Sequence, residues 1–165
     1  MKLSHITAAA VLALGSASSF AIDLGTLNLT SGSAGFFSTP VIGNFTDTLT
    51  FSVTAPLGTI ANGSVTSVVN GNQDVDFSSI TVTGPSGSFS FFPQLLDPVE
   101  VWALPAAGAL LFPGTYTITF AGLNSAGGAS YGGNFAVTPI PEPETLALML
   151  AGLGAVGFVA RRRKF

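Results

Sequence analysis

The chain is predicted to be all-β: a single antiparallel β-sandwich, of jelly-roll or immunoglobulin-like type, flanked by an N-terminal signal peptide and one C-terminal transmembrane helix. Three observations predict it. Apolar and small polar residues alternate with period 2 through the middle of the chain, turn residues punctuate those runs, and the apolar stretches at both ends carry cations on one side. The expected organisation is residues 1–21 as signal, 22–138 as the sandwich and 139–165 as a tail with a helix over about 145–160.

The N-terminus reads Met-Lys-Leu-Ser-His, then "ITAAAVLALG" (Ile6 to Gly15), then "SASSFA" (Ser16 to Ala21). A positive start, a short apolar run and small residues before a cut are the parts of a secretory signal. Ser19 and Ala21 take the −3 and −1 places of the cleavage site, so the mature chain is expected to begin at Ile22. The apolar run is too short for a hydrocarbon core of roughly 30 Å, which needs about 20 residues.

Within the body, "IDLGTLNLT" places Ile22 and Leu24, then Leu27 and Leu29, on one face, with a phase slip at Gly25. "TLTFSVTA" (Thr48 to Ala55) turns Leu49, Phe51 and Val53 inward and its Thr and Ser residues outward. "SSITVTG" (Ser78 to Gly84) and "GSFSFFP" (Gly87 to Pro93) continue the pattern. "PVEVWALPAAGALLFPG" (Pro98 to Gly114) reads as strand, loop, strand, with Trp102 and Phe112 as core candidates. "TYTITFAG" (Thr115 to Gly122) turns Tyr116, Ile118 and Phe120 inward, and "GNFAVTP" (Gly133 to Pro139) closes the set. Turns are expected at Pro56-Leu57-Gly58, Asn62-Gly63, Asn70-Gly71, Gly84 to Gly87, Pro113-Gly114 and Asn124 to Gly128, where these residues supply the φ a reversal needs.

Charge is segregated. All five Lys and Arg residues lie at the ends (Lys2, Arg161, Arg162, Arg163 and Lys164), and the single histidine, His5, is in the signal. Of the eight Asp and Glu residues, Glu142 and Glu144 are in the tail, leaving six carboxylates in the body: Asp23, Asp47, Asp74, Asp76, Asp97 and Glu100. An acidic surface with no basic side chain repels phosphate, which excludes nucleic acid as a partner. The body can form no salt bridge except through a new N-terminal amine, and without cysteine it has no disulfide.

The tail "TLALMLAGLGAVGFVA" (Thr145 to Ala160) is uncharged and stops on Arg161-Arg162-Arg163-Lys164. As a helix it reaches about 24 Å, a little short of the hydrocarbon thickness unless flanking residues snorkel. The cations act as a membrane stop and orient the tip to the cytoplasm, with the body outside. Pro139, Pro141 and Pro143 make an extended approach to this span. Pro141-Glu142-Pro143, an apolar span and an Arg cluster, in that order, resemble the PEP-CTERM sorting signal of Gram-negative bacteria, although Glu144 stands where Ala or Ser is common. The resemblance implies an exosortase as partner, transient anchoring in the inner membrane, and release or attachment at the cell surface. "NFTDTLTFSV" also resembles the Phe-x-Asp-x-Phe pattern of one PEP-CTERM set. Phe45 and Asp47 match, and Leu49 stands in place of the second Phe. That set implies no defined activity.

Subtraction removes most chemistry. A body without His, Cys, Lys or Arg builds no Ser-His-Asp or Cys-His arrangement, no Schiff base, no ordinary zinc site and no P-loop. No enzyme activity and no cofactor are expected. Asp74 and Asp76 in "NGNQDVD" are weak Ca²⁺ candidates, outweighed by ordinary turn chemistry. Asp47 reads as a carboxylate accepting backbone N–H groups where a strand begins. The expected function is a structural or adhesive surface protein associated with the cell envelope, exopolysaccharide or biofilm. The alternative is a glycan- or small-ligand-binding module assisted by Ca²⁺.

Overall fold

The computed structural model describes residues 20–55, 58–69, 71, 74–95, 99–125, 127–140 and 143–162. Most of the expected signal, including Ser19, and the tail residues Pro141, Glu142, Arg163 and Lys164 lie outside the described residues. In chain order the strands are β1 (Asp23–Thr26), β2 (Ser33–Ser38), β3 (Gly43–Val53), β4 (Thr59–Val68), β5 (Val75–Gly84), β6 (Gly87–Ser90), β7 (Phe92–Leu95), β8 (Val101–Ala103), β9 (Ala109–Leu111), β10 (Gly114–Asn124) and β11 (Ser130–Pro139), followed by helix α1 (Pro143–Arg162).

The strands form two sheets in a sandwich-like arrangement. One has the order β1-β3-β10-β5-β6; the other has β2-β11-β4-β8-β7, with β9 also on β4. Antiparallel pairing prevails, with one departure from the expected pattern: β1 lies parallel to β3. The physical reason is that β2, in the opposite sheet, lies between them in sequence, so β1 and β3 are not joined by a hairpin that would force them antiparallel. The phase slip at Gly25 is a real irregularity in this pairing, because Asp23 pairs with Thr48 and Thr26 with Thr50. Gly25 takes φ +84°, which a side chain would resist.

The alternation in β3 and β10 lands as expected. Leu49, Phe51 and Val53 are buried, as are Tyr116, Ile118 and Phe120. These rings make the sandwich one body: Phe51 of the first sheet stacks on Tyr116 at 5.3 Å and meets Phe135 of the second at 4.6 Å. Phe120 and Tyr131 meet across the same gap at 5.2 Å. Such pairs add to the area they bury.

Four expectations are corrected. Asn62-Gly63 is not a turn but the middle of β4, where Gly63 pairs with Phe135. A Cβ on Gly63 would stand 2.8 Å from the Phe135 ring, so glycine serves here as space for an aromatic neighbour rather than as a hinge. "GSFSFFP" is not one strand: β6 pairs with β5 and β7 with β8, and the chain changes sheets at Phe91, which is buried. Phe112 is not core; it is 50% exposed because Leu111 takes the inward position at the end of β9, while Trp102 is buried as expected. Pro139 is not in a free approach segment but ends β11, paired with Thr59, a strand terminus that tolerates proline.

The crowding at Gly63 makes a specific prediction. Gly63→Val should lower the unfolding free energy by about 1–3 kcal/mol through overpacking against Phe135 and Phe91. Urea unfolding followed by aromatic fluorescence checks it; an unchanged midpoint would contradict this packing.

Candidate functional site

The tail joins the sandwich through a very short connection. β11 stays paired with β4 to its last residue, Pro139 opposite Thr59, and Ile140 N–H still donates to Gly58 O at 3.3 Å. Val137 N–H donates to Gly32 O at 2.8 Å, fixing the other side of the strand. Helix α1 begins at Pro143, a position where the missing N–H is no loss, and Glu144 in its first turn complements the positive end of the helix dipole. Two residues, Pro141 and Glu142, therefore separate the last sheet-bonded residue from the helix. Of the three prolines expected to form an extended approach, Pro139 ends β11 and Pro143 opens α1, while Pro141 lies outside the described residues.

Every described side chain of α1 for which burial is defined is exposed, including Leu148, Met149, Leu153, Val156 and Phe158. Apolar residues occupy all sides, unlike a helix that covers a core. Arg161 is exposed near the C-terminal end, where a cation suits the dipole. Among the described residues no helix is long and apolar enough to cross a membrane. The expected span therefore lies on α1 without being shown to be one, as the uncharged length of about 24 Å already suggests.

Among the described residues two carboxylates are buried in the body, and neutral donors hold both. Asp47 lies within β3 rather than at its start. Its Oδ2 accepts Ser38 Oγ at 2.9 Å and Tyr131 Oη at 2.8 Å, and its Oδ1 accepts Ile22 N–H at 3.3 Å. Burial, with Asp47 beside it, pushes the Tyr131 phenol far above its usual value, so the hydroxyl remains a donor. Phe45, Asp47 and Leu49 all point inward because they are alternate residues of one strand.

Glu100 forms the second centre. Its Oε2 accepts Phe77 N–H at 2.7 Å and Trp102 Nε1–H at 3.2 Å, and its backbone N–H donates to Ser67 Oγ. Desolvation pushes its carboxyl above the ordinary 4.5; the two hydrogen bonds oppose this, and the charges of Asp76 and Asp74 add to it. Asp74 is half-buried and its Oδ1 accepts Val75 N–H at 2.8 Å, while Asp76 is exposed. Among the described residues no group of three His, Cys, Asp or Glu side chains that could hold a metal ion is present. Trp102 is a core candidate in the sequence, but nothing in the spacing indicated that Glu100 would bind it. Ser38 and Tyr131 were likewise missed, since 84 residues separate Tyr131 from Asp47.

A family model described as the PEP-CTERM protein-sorting motif matches residues 139–164. The tail carries a PEP-CTERM sorting motif. That motif implies exosortase-dependent sorting to the cell surface, with the exosortase as processing partner. The match begins at Pro139, the last residue bonded into the sheet as a strand, so motif and fold share a boundary. No curated protein matches the chain. Among solved structures, the pre-peptidase C-terminal domain of a Bacillus anthracis collagenase is similar at 13% identity over 73% of this chain and 97% of that one, with a TM-score of 0.35. Aeromonas hydrophila PliG, a periplasmic inhibitor of g-type lysozyme, is similar at 17% identity over 73% of this chain and 100% of its own, also with a TM-score of 0.35. Both are distant likenesses.

The Glu100 centre sets a pH dependence. Because folding raises this carboxyl, the native state binds more protons than the unfolded chain above about pH 4.5, and this contribution to stability falls as pH rises through the raised value. Glu100→Gln keeps an oxygen for Phe77 and Trp102 but removes the titration. Thermal melts between pH 4 and 7 should show a flatter slope for the variant, and parallel curves would refute the assignment.

Proposed function

We propose that the chain is an exported, non-enzymatic surface cargo. The tail holds it transiently in the inner membrane, an exosortase trims it at Pro141-Glu142-Pro143, and the sandwich then serves a structural or adhesive role at the envelope or in exopolysaccharide. The observation that carries this reading is the junction: a sorting motif placed directly where the last strand ends and an apolar, exposed helix begins. We also read the body as one of the Phe-x-Asp-x-Phe set, through Phe45, Asp47 and Leu49.

Charge placement supports the orientation. Asp74, Asp76 and Glu100 lie near the end of the sandwich where β5 begins and β10 finishes, away from the end at which Pro139 meets Thr59. An acidic end remote from the tail avoids the negative potential of anionic lipids. Arg161 to Arg163 supply the opposite attraction at the tail tip. The helix reaches across only with its arginines snorkelling or the bilayer thinned.

Two results are expected. A strain lacking the exosortase should accumulate the untrimmed protein in its membrane fraction, and a trimmed product there would sink the sorting reading. Because Ile140 is still bonded to Gly58, the trimmed body should end C-terminal to Ile140, and a flexible Gly/Ser insertion between Ile140 and Pro141 should speed trimming by giving the enzyme more free backbone. Intact mass and pulse-chase measure these; a terminus inside β11, or slower trimming of the insertion variant, would contradict the junction argument.

A further inference from the structure

Asp47 is fully buried in a body that has no Lys, Arg or His between Ile22 and Ile140. Two of its three donors are the hydroxyls of Ser38 and Tyr131. The third is the backbone nitrogen of Ile22, 3.3 Å from Oδ1. That nitrogen belongs to the residue at which signal cleavage is expected to start the mature chain. We infer that Asp47 is a binding site for the protein's own N-terminal α-ammonium group, which pairs with it once the signal peptide is removed. The inference rests on reading residues 1–21 as a cleaved signal.

Hydrolysis of the Ala21–Ile22 peptide bond adds one water. The Ala21 carboxylate leaves with the signal, and the Ile22 amine takes up a proton to become –NH₃⁺. The nitrogen needs no search to reach its partner. Thr48 N–H donates to Ile22 O at 2.9 Å and Leu27 N–H to Thr50 O at 2.7 Å, so both sides of β1 stay bonded to β3 after the cut. Ala21 is exposed and Ile22 half-buried, which leaves the other ammonium protons to water and keeps the desolvation penalty small. Among the described residues the loss is two edge bonds, Phe20 N–H to Asn44 O and Thr46 N–H to Phe20 O, around a half-exposed Phe20. An amide N–H at this distance is a weak partner for a carboxylate; an ammonium makes the contact charge-assisted.

The ionisable side chains near this point are Asp47 from β3, Tyr131 from β11 and Asp23 from β1, whose Oδ1 accepts Gly25 N–H. None competes as a cation. An ion pair raises the amine above its ordinary range of about 7.7–8.0, so its stabilisation is complete below that range and fades as pH rises through the raised value.

The test uses exported protein carrying its tail, purified in detergent. Lys164 is the one other amine of the mature chain, so reductive ¹³C-methylation gives a resolvable α-amine signal for titration by NMR. The expected results are an intact mass starting at Ile22 and an amine titrating about one unit or more above the ordinary range. A Gly inserted between Ala21 and Ile22 should lower the melting temperature by about 3–8 °C in the wild type and leave it unchanged in Asp47→Asn. If Asp47→Asn fails to fold, the titration and the single insertion still decide. A mature start at any residue other than Ile22 overturns the proposal by removing the cleavage it rests on. A start at Ile22 with an amine of ordinary pKa, or with an insertion that shifts nothing, overturns the ion pair while leaving the cleavage intact.

Discussion

A buried carboxylate in a body without cationic side chains has to be held by hydroxyls, ring N–H groups and backbone nitrogens, and much of this sandwich is arranged around that constraint. Asp47 gathers β1 through Ile22, β2 through Ser38 and β11 through Tyr131 onto β3. One side chain thus ties together both sheets and the backbone just before β1. A half-satisfied group in this position would destabilise the fold more than an apolar residue, so such a centre specifies a single arrangement of its neighbours. Glu100 plays the corresponding part near the far end, joining Phe77 of the first sheet to Trp102 and Ser67 of the second.

The apolar core is built to surround these centres rather than to exclude them. Tyr131 stacks against Phe45 at 5.9 Å and meets Phe77 edge-on at 5.1 Å while its hydroxyl reaches Asp47. Trp102 likewise presents its ring to Phe77 at 6.2 Å and its N–H to Glu100. Amphipathic aromatics join burial to polar satisfaction in one residue, which suits a chain poor in charge. Small residues opposite them, Gly63 above all, supply the room.

The tail follows a different logic. A strand bonded to its final residue is followed after three residues by an exposed apolar helix, and the first of the three, Ile140, is itself bonded to Gly58. The motif's first residue is already part of the fold, so sorting and folding share a boundary residue.

The sequence by itself determined the β class, the inward faces of β3 and β10, the slip at Gly25, the burial of Trp102 and the three-part tail. Each is a local pattern of period 2, a turn residue or a composition break, readable without knowing what lies across the gap. Only the tertiary structure decided that β1 runs parallel to β3, that Gly63 sits under Phe135 rather than in a turn, that the chain changes sheets at Phe91, and that Phe112 faces out. It alone brought Ser38, Tyr131 and Ile22 to Asp47, and Trp102 to Glu100. Those contacts join residues far apart in the chain, and their partners are ordinary serines and aromatics whose local spacing carries no mark of a distant carboxylate. Strand pairing, which closes long loops to satisfy backbone and side chain together, is a property of the whole sheet and not of any segment in it.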